Sequence, residues 1–226
     1  HEPLRSDMAA RLTDYDRMFP LGDPPDYEPA QDSSLGVRAR REGRDPREVV
    51  YDYLIEGEGK NFIFAPFANF AAFNLDCCSE MMQSPHTLIG LGDGGAHVGI
   101  ICDASGQTFL LKRWVGDGSA GTMPLEKAIH ALSWRNAQAM GLLDRGLLKP
   151  GYRADINVID IDHLTLHRPE IVYDLPLGSG RLKQRADGYV ATVVAGTVTY
   201  RNGESTGALP GRLVRGRQPE PRRRGL

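Results

Sequence analysis

Residues 87–97 read Thr-Leu-Ile-Gly-Leu-Gly-Asp-Gly-Gly-Ala-His, an apolar run that stops on the carboxylate of Asp93. Glycine flanks that carboxylate on both sides, and His97 follows close behind. A buried strand that delivers one acidic residue to its C-terminal end puts it where α/β proteins carry their chemistry. The glycines leave the nearby backbone uncovered and able to turn sharply. Such a carboxylate can ligate a metal or take a proton from metal-bound water. It can equally cap a helix or close a turn, and position alone leaves these open. His97 can face a substrate or orient a neighbouring loop, with packing as the plainer role.

The other candidate groups are dispersed. The remaining histidines are His1, His86, His130, His163 and His167, with no His-x-His among them. His130 falls in an expected helix. His163 and His167 have a spacing that suits a metal only on a helix, whereas Leu-Thr-Leu between them favours extended backbone. These three are expected to face solvent or bond locally. Cys77, Cys78 and Cys102 are odd in number and lack disulfide-framework or zinc-finger spacing. They read as small buried hydrophobes in a reducing, cytoplasmic setting. Lys112 and Arg113 are candidates for an anion contact, or simply surface charge.

The elements that must position Asp93 follow from periodicity and punctuation. Residues 1–32, broken by Pro20, Pro24, Pro25 and Pro29, read as an ordered irregular loop anchored by Tyr15, Met18, Phe19, Leu21 and Tyr27. A short helix is predicted over 34–42, stopped by Gly43. A second is capped by Asp45 with Pro46 in its first turn and Glu48 completing a capping box. Its apolar stripe is Val49, Val50, Tyr53 and Leu54, and Gly57 ends it. A strand with its loop is expected over 61–70, then a helix over 74–82 facing Leu75, Cys78 and Met82 inward. The strand ending at Asp93 comes next. Strand, helix, strand, apolar where buried, is the pattern of parallel α/β architecture. Residues 109–115 fit a helix or an extended piece. Pro124 opens an amphipathic helix carrying Leu125, Ala128, Ile129 and Leu132, and Ser133 is placed to cap a second one ending near Met140. After the turn at Lys149-Pro150-Gly151 the pattern becomes β: 154–160, then 189–195 and 197–201 joined through Gly196, with a tight turn at Asn202-Gly203. A domain boundary is therefore expected near Gly151, and a basic, mobile tail over 212–224.

Bulk properties set limits. The 226 residues can bury a real core, and 41% hydrophobic with 25% charged residues is ordinary for a globular protein. A formal net charge of -2 argues against nucleic acid as a main partner. No apolar stretch approaches the roughly 18 residues that a membrane span needs. The chain starts at His1, with neither an initiator methionine nor a signal-peptide core, so a piece of a longer protein or a processed product is expected.

Residues 88–103, Leu-Ile-Gly-Leu-Gly-Asp-Gly-Gly-Ala-His-Val-Gly-Ile-Ile-Cys-Asp, resemble the eighth-strand region of the amidohydrolase superfamily, and within it the D-aminoacylase (N-acyl-D-amino-acid deacylase) branch. The resemblance continues through residues 123–128 (Met-Pro-Leu-Glu-Lys-Ala), 146–155 (Gly-Leu-Leu-Lys-Pro-Gly-Tyr-Arg-Ala-Asp), 194–196 (Val-Ala-Gly) and 206–212 (Thr-Gly-Ala-Leu-Pro-Gly-Arg). It implies an α/β chain: the C-terminal part of a (β/α)8 TIM barrel plus the C-terminal part of a small β-sandwich. Residues 1–150 would then hold barrel strands seven (61–65) and eight (87–91) with their helices. Residues 151–226 would hold the sandwich portion and the tail. Gly92 stands where relatives often have serine.

The same resemblance implies a metal-dependent hydrolase that cleaves the amide bond of N-acyl amino acids, of D configuration. Asp93 would be both metal ligand and proton carrier, and His97 would lie near the substrate. The implied cofactor is zinc, its ligands mostly outside this chain, and no other cofactor-binding residue is assigned. Expected partners are the small-molecule substrate and a missing N-terminal polypeptide or region, with a homo-oligomer left open and no nucleic acid or membrane. Strands seven and eight alone cannot close a barrel, so activity is not expected without the missing part. Two other readings stay in view: a non-catalytic structural or binding subunit of the same fold, and a cyclic-amide hydrolase or deaminase of the superfamily.

Overall fold

Capping side chains define the first helices. In the computed structural model, which describes residues 13–90, 97–116 and 121–221, α1 spans Leu35–Glu42. Ser34 is fully buried in front of it, and its Oγ accepts from the Val37 N–H at 3.2 Å. That satisfies one of the donors a helix start leaves over. Gly43, at φ 64°, takes the left-handed conformation that ends the helix. Helix α2 spans Pro46–Gly59, with the Asp45 carboxylate accepting from Arg47 N at 2.8 Å. Helical geometry is lost at Glu56, and Gly57 and Glu58 both have positive φ. The Glu48 carboxylate faces Arg44 at 3.9 Å rather than returning to the Asp45 N–H, so the expected capping box is only half made.

Contacts divide the chain into two units, residues 1–78 and 79–226. In the first, Met18, Leu35, Ala39 and Val49 are buried together, with Tyr15, Val50, Tyr53 and Ile63 packed on them. Leu54, expected in that stripe, is 39% exposed. Strand β1 (Phe19–Leu21) pairs antiparallel with β2 (Phe62–Phe64), Phe19 opposite Phe64 and Leu21 opposite Phe62. Residues 1–32 are thus not wholly irregular. Phe19 and Leu21 are buried while Pro20 points outward, and a two-stranded ribbon tolerates the missing N–H of Pro20. Edge-to-face rings of Phe19, Phe64, Phe70 and Phe73 cover the ribbon.

Helix α3 (Asp76–Gln83) contains the boundary between the units. The expected face of Leu75, Cys78 and Met82 is half-buried, and the buried residue is Ser79, whose Oγ donates to Gly121 O at 2.6 Å. Residues 106–113 form helix α4 (Gly106–Arg113), resolving the helix-or-extended alternative. Helix α5 (Leu125–His130) runs through a π turn (Ala131–Arg135) into α6 (Asn136–Ala139), so Ser133 lies inside a continuous helical path instead of capping a new one. Ala128, Ala131 and Ala137 are buried along this path, while Leu125 and Ile129 remain 36% and 40% exposed.

The β-rich part follows the turn chemistry closely. Strands β3 (Ile156–Ile159), β8 (Tyr189–Val194), β9 (Thr197–Arg201) and β10 (Glu204–Ser205) form an antiparallel sheet in the order β10-β9-β8-β3. Ala195 and Gly196, and then Asn202 and Gly203, have paired positive φ values, as two-residue type I′ hairpin turns require. Smaller ribbons pair β4 (Thr165–Leu166) with β7 (Ala186–Asp187) and β5 (Glu170–Val172) with β6 (Arg181–Lys183). Part of the tail is docked: Gln218 N donates to Gly141 O and Leu143 N donates to Gln218 O. The result is an α/β architecture of helices and antiparallel sheets.

The segment expected to be strand eight departs from expectation. Among the described residues, 87–90 carry no ladder pairing, and the described residues supply no parallel neighbour. A parallel strand is stable only between partners, so this run is held by other means.

Two substitutions test these supports. Ser34→Ala should cost about 1–2 kcal/mol in urea unfolding through the lost cap. Gly188 has φ 95°, and a Cβ there would lie 2.7 Å from Leu164 Cα. Gly188→Ala should therefore lower stability by more than about 1 kcal/mol, read from the same denaturation curves.

Candidate functional site

The run that leads toward Asp93 is held by side chains. Arg135 Nη2 donates to Pro85 O at 2.5 Å and to Ser84 O at 3.4 Å. Asn136 Nδ2 donates to Ile89 O at 2.6 Å and to Leu132 O at 3.4 Å. Gln107 Nε2, on α4, reaches Gly90 O at 3.4 Å. The Thr87 hydroxyl donates back to Met81 O and Ser84 O, tying the run to the end of α3. An amide donor thus takes Ile89 O, which a neighbouring strand would engage, while the guanidinium holds the turn that precedes the run. The π turn brings these donors to bear: it ends on Arg135, and its wider geometry shifts the phase of the helix at Arg135 and Asn136. Asn136 carries a cost in exchange. Its Oδ1 is buried without a partner among the described residues, a state typically worth about 1–3 kcal/mol of destabilisation.

Asp93 itself lies outside the described residues. His97 is described: it is exposed, with φ 50°, and its carbonyl accepts from Ile100 N and Ile101 N at 2.8 and 3.0 Å. His97 therefore opens a turn through its backbone. His130 lies beside the Trp134 ring at 5.0 Å. His163 Nδ1 and His167 Nε2 each meet a carboxylate, Asp160 at 2.9 Å and Asp187 at 2.8 Å, from positions on either side of β4, His163 in a bend. Arg113 sits 6.0 Å from the Trp114 ring, and Lys112 is exposed beside it at the end of α4.

In the first unit a cavity of about 420 Å³ opens beside the loop after β2, lined by residues 65–71 with Asp14 and Arg17. Arg17 Nη1 and Nη2 donate to Phe70 O and Ala71 O at 2.7 and 3.0 Å, and its guanidinium lies 4.5 Å from the Phe73 ring centre. Asn69 and Phe73 both adopt positive φ in this loop, a conformation such residues hold only when their surroundings enforce it. Arg17 is thus committed to the loop backbone as its clamp. Sequence reasoning identified neither this clamp nor the Arg135–Asn136 pair. The only signal was two adjacent polar residues where the helix pattern led toward a buried end.

Comparison with known proteins places these features in a family. The model of the amidohydrolase family matches residues 60–200, well over half of the chain, and the chain belongs to that family. An uncharacterized protein of Mycobacterium tuberculosis is 30% identical over 183 residues, which is 77% of this chain and 29% of that protein. A dihydroorotase of Lactobacillus acidophilus is 32% identical over 113 residues, 50% of this chain and 26% of that enzyme. A D-aminoacylase variant solved with copper chloride superposes at a TM-score of 0.44 with 20% identity, over 85% of this chain and 36% of that one. The chain thus spans under a third of the length of these curated relatives.

Membership of this family suggests a metal. Among the described residues, no group of three or more His, Cys, Asp or Glu side chains could hold one. The described residues therefore do not fit a metal centre by themselves, and no reaction step is derived through one here. Nor is any described helix long and apolar enough to cross a membrane. The thiols are free, Cys77 is exposed and not the buried hydrophobe expected, and half-buried Cys78 and Cys102 are poorly suited to nucleophilic work. Burial, with the adjacent Cys77 adding to it, pushes the Cys78 thiol up to about 11, and burial likewise raises Cys102. Iodoacetamide should accordingly modify Cys78 slowly at neutral pH, its rate climbing only as pH approaches about 11. Peptide mapping after timed alkylation checks this, and a Cys78 rate already at its plateau near pH 8 would contradict it.

Proposed function

We propose that this chain is the C-terminal portion of a metal-dependent hydrolase that cleaves the amide bond of N-acyl amino acids, of D configuration. The amidohydrolase match over residues 60–200 carries the reading, because it spans the glycine-flanked Asp93. The D-aminoacylase branch is favoured by the run of motifs at 88–103, 146–155 and 206–212. In this reading residues 1–150 belong to a partial barrel contributing strands seven and eight, and 151–226 to a partial sandwich and tail. The setting is cytoplasmic.

Asp93 is the proposed catalytic carboxylate and metal ligand. A carboxylate so placed can hold a proton and release it to the departing nitrogen as the amide breaks. His97 is the proposed substrate neighbour. Zinc is the proposed cofactor of the complete assembly, its nitrogen ligands provided by a region or polypeptide other than this chain. A second reading rests on the ligand shortfall among the described residues: a structural or binding subunit with no turnover of its own. The dihydroorotase match favours a third, hydrolysis of a cyclic amide.

The test is Asp93→Asn in the complete assembly, assayed by amine release from N-acyl-D-amino acids, their L-enantiomers and a cyclic amide. Turnover should fall at least about 100-fold, the usual lower range for removing a general acid or base, while the fold is retained. Near-normal turnover would remove Asp93 from the mechanism. Metal analysis of the purified assembly separates the readings further, since bound zinc supports the hydrolase and a metal-free, inactive assembly supports the subunit.

A further inference from the structure

We infer that Arg135 and Asn136 are positioning residues that fix the run leading to Asp93, Arg135 holding the turn before it and Asn136 standing where a strand neighbour would. The inference rests on the proposed catalytic role of Asp93 and adds what sets its approach. Three observations converge. Residues 84–90 have no ladder among the described residues, yet the carbonyls of Ser84, Pro85 and Ile89 are all engaged from consecutive positions, 135 and 136. Arg135 closes a π turn and Asn136 follows it directly, a departure from α-helical geometry that recurs at functional sites. Asn136 also keeps Oδ1 buried without a partner among the described residues.

That last feature separates positioning from packing. A residue present for stability alone gains nothing from an orphaned buried carbonyl, since an apolar side chain of the same size would fill the place without it. A local departure from good packing that persists beside a site is the usual mark of a functional constraint. The Nδ2 donor is the part that reaches Ile89 O, four residues before Asp93, and Oδ1 is the cost of presenting it.

The discriminating variant is Asn136→Leu, which removes the donor and the orphaned acceptor together. In the complete assembly its thermal midpoint should stay close to wild type, because losing the donor to Ile89 O offsets the removal of the orphaned Oδ1, and its metal content should be unchanged. Turnover should fall by about 100-fold, the effect of a misplacement of about 1 Å at a reacting group. Amide exchange over residues 86–90 should accelerate. Arg135→Met, which keeps the aliphatic stem, should act in the same direction. Wild-type turnover with unchanged exchange would overturn the inference, and so would stability and turnover falling in parallel, which marks a packing role. Asp93→Asn in the same assay keeps the two readings apart. An active Asp93→Asn removes the basis of both, whereas an inactive Asp93→Asn beside a fully active Asn136→Leu overturns the positioning role alone.

Discussion

A backbone carbonyl that no helix or strand engages still needs a donor, and at several such places in this chain the donor is a side chain. The run 84–90 shows it most plainly, with Arg135, Asn136 and Gln107 each delivering an N–H to a main-chain oxygen. The same device recurs in the first unit. Arg17 holds Phe70 O and Ala71 O, Tyr53 OH donates to Phe62 O at 3.1 Å, and Asn61 Nδ2 donates to Tyr53 O at 2.9 Å. Hydrogen bonds from a charged donor are stronger than neutral ones. Guanidinium groups therefore suit the task of holding loops that no strand borders.

This constraint explains which parts of the fold could be read from sequence. Elements fixed by their own residues were legible: Ser34 and Gly43 bound α1, Asp45 and Pro46 start α2, and the Ala195-Gly196 and Asn202-Gly203 turns set the β8–β9–β10 meander. In each case the stabilising bond joins residues close in sequence, so residue type nearly determines geometry. Strand β1 was hidden because Pro20 lies within it and its partner β2 is some forty residues away. The buried hydroxyl of Ser79 was equally hidden, since its acceptor is Gly121 O, 42 residues on. Residues 87–90 carry no ladder among the described residues for a related reason. An apolar, β-branched run satisfies the composition of a strand, but only neighbours make it one.

The candidate site divides along the same line. Asp93 stood out because a carboxylate between glycines at the end of an apolar run is unusual by composition alone. Arg135 and Asn136 did not, because an arginine and an asparagine near a helix end are ordinary by type, and their meaning lies in carbonyls 47–51 positions earlier. The histidines give the converse lesson. His163 and His167 have metal-like spacing, but they flank a strand instead of sharing a helix face, and each meets its own carboxylate. Spacing carries chemical meaning only once the backbone conformation is known.

The separation in sequence also bears on how the run is held against thermal opening. Hairpins closed by two-residue turns gain their bonds for little loop entropy, whereas bonds spanning about fifty residues must offset a larger closure cost. The bonds from Arg135 and Asn136 can therefore persist only if the helical path that carries those residues is already rigid. Its buried face supplies that rigidity through Ala128, Ala131 and Ala137, with Met123 buried just ahead of α5. Gly146 seals the path from the far side, since a Cβ there would come within 2.8 Å of Trp134 Cα. The small residues along the helix and the donors at its end form one device. Close packing fixes the helix, and the fixed helix holds a run that has no strand beside it.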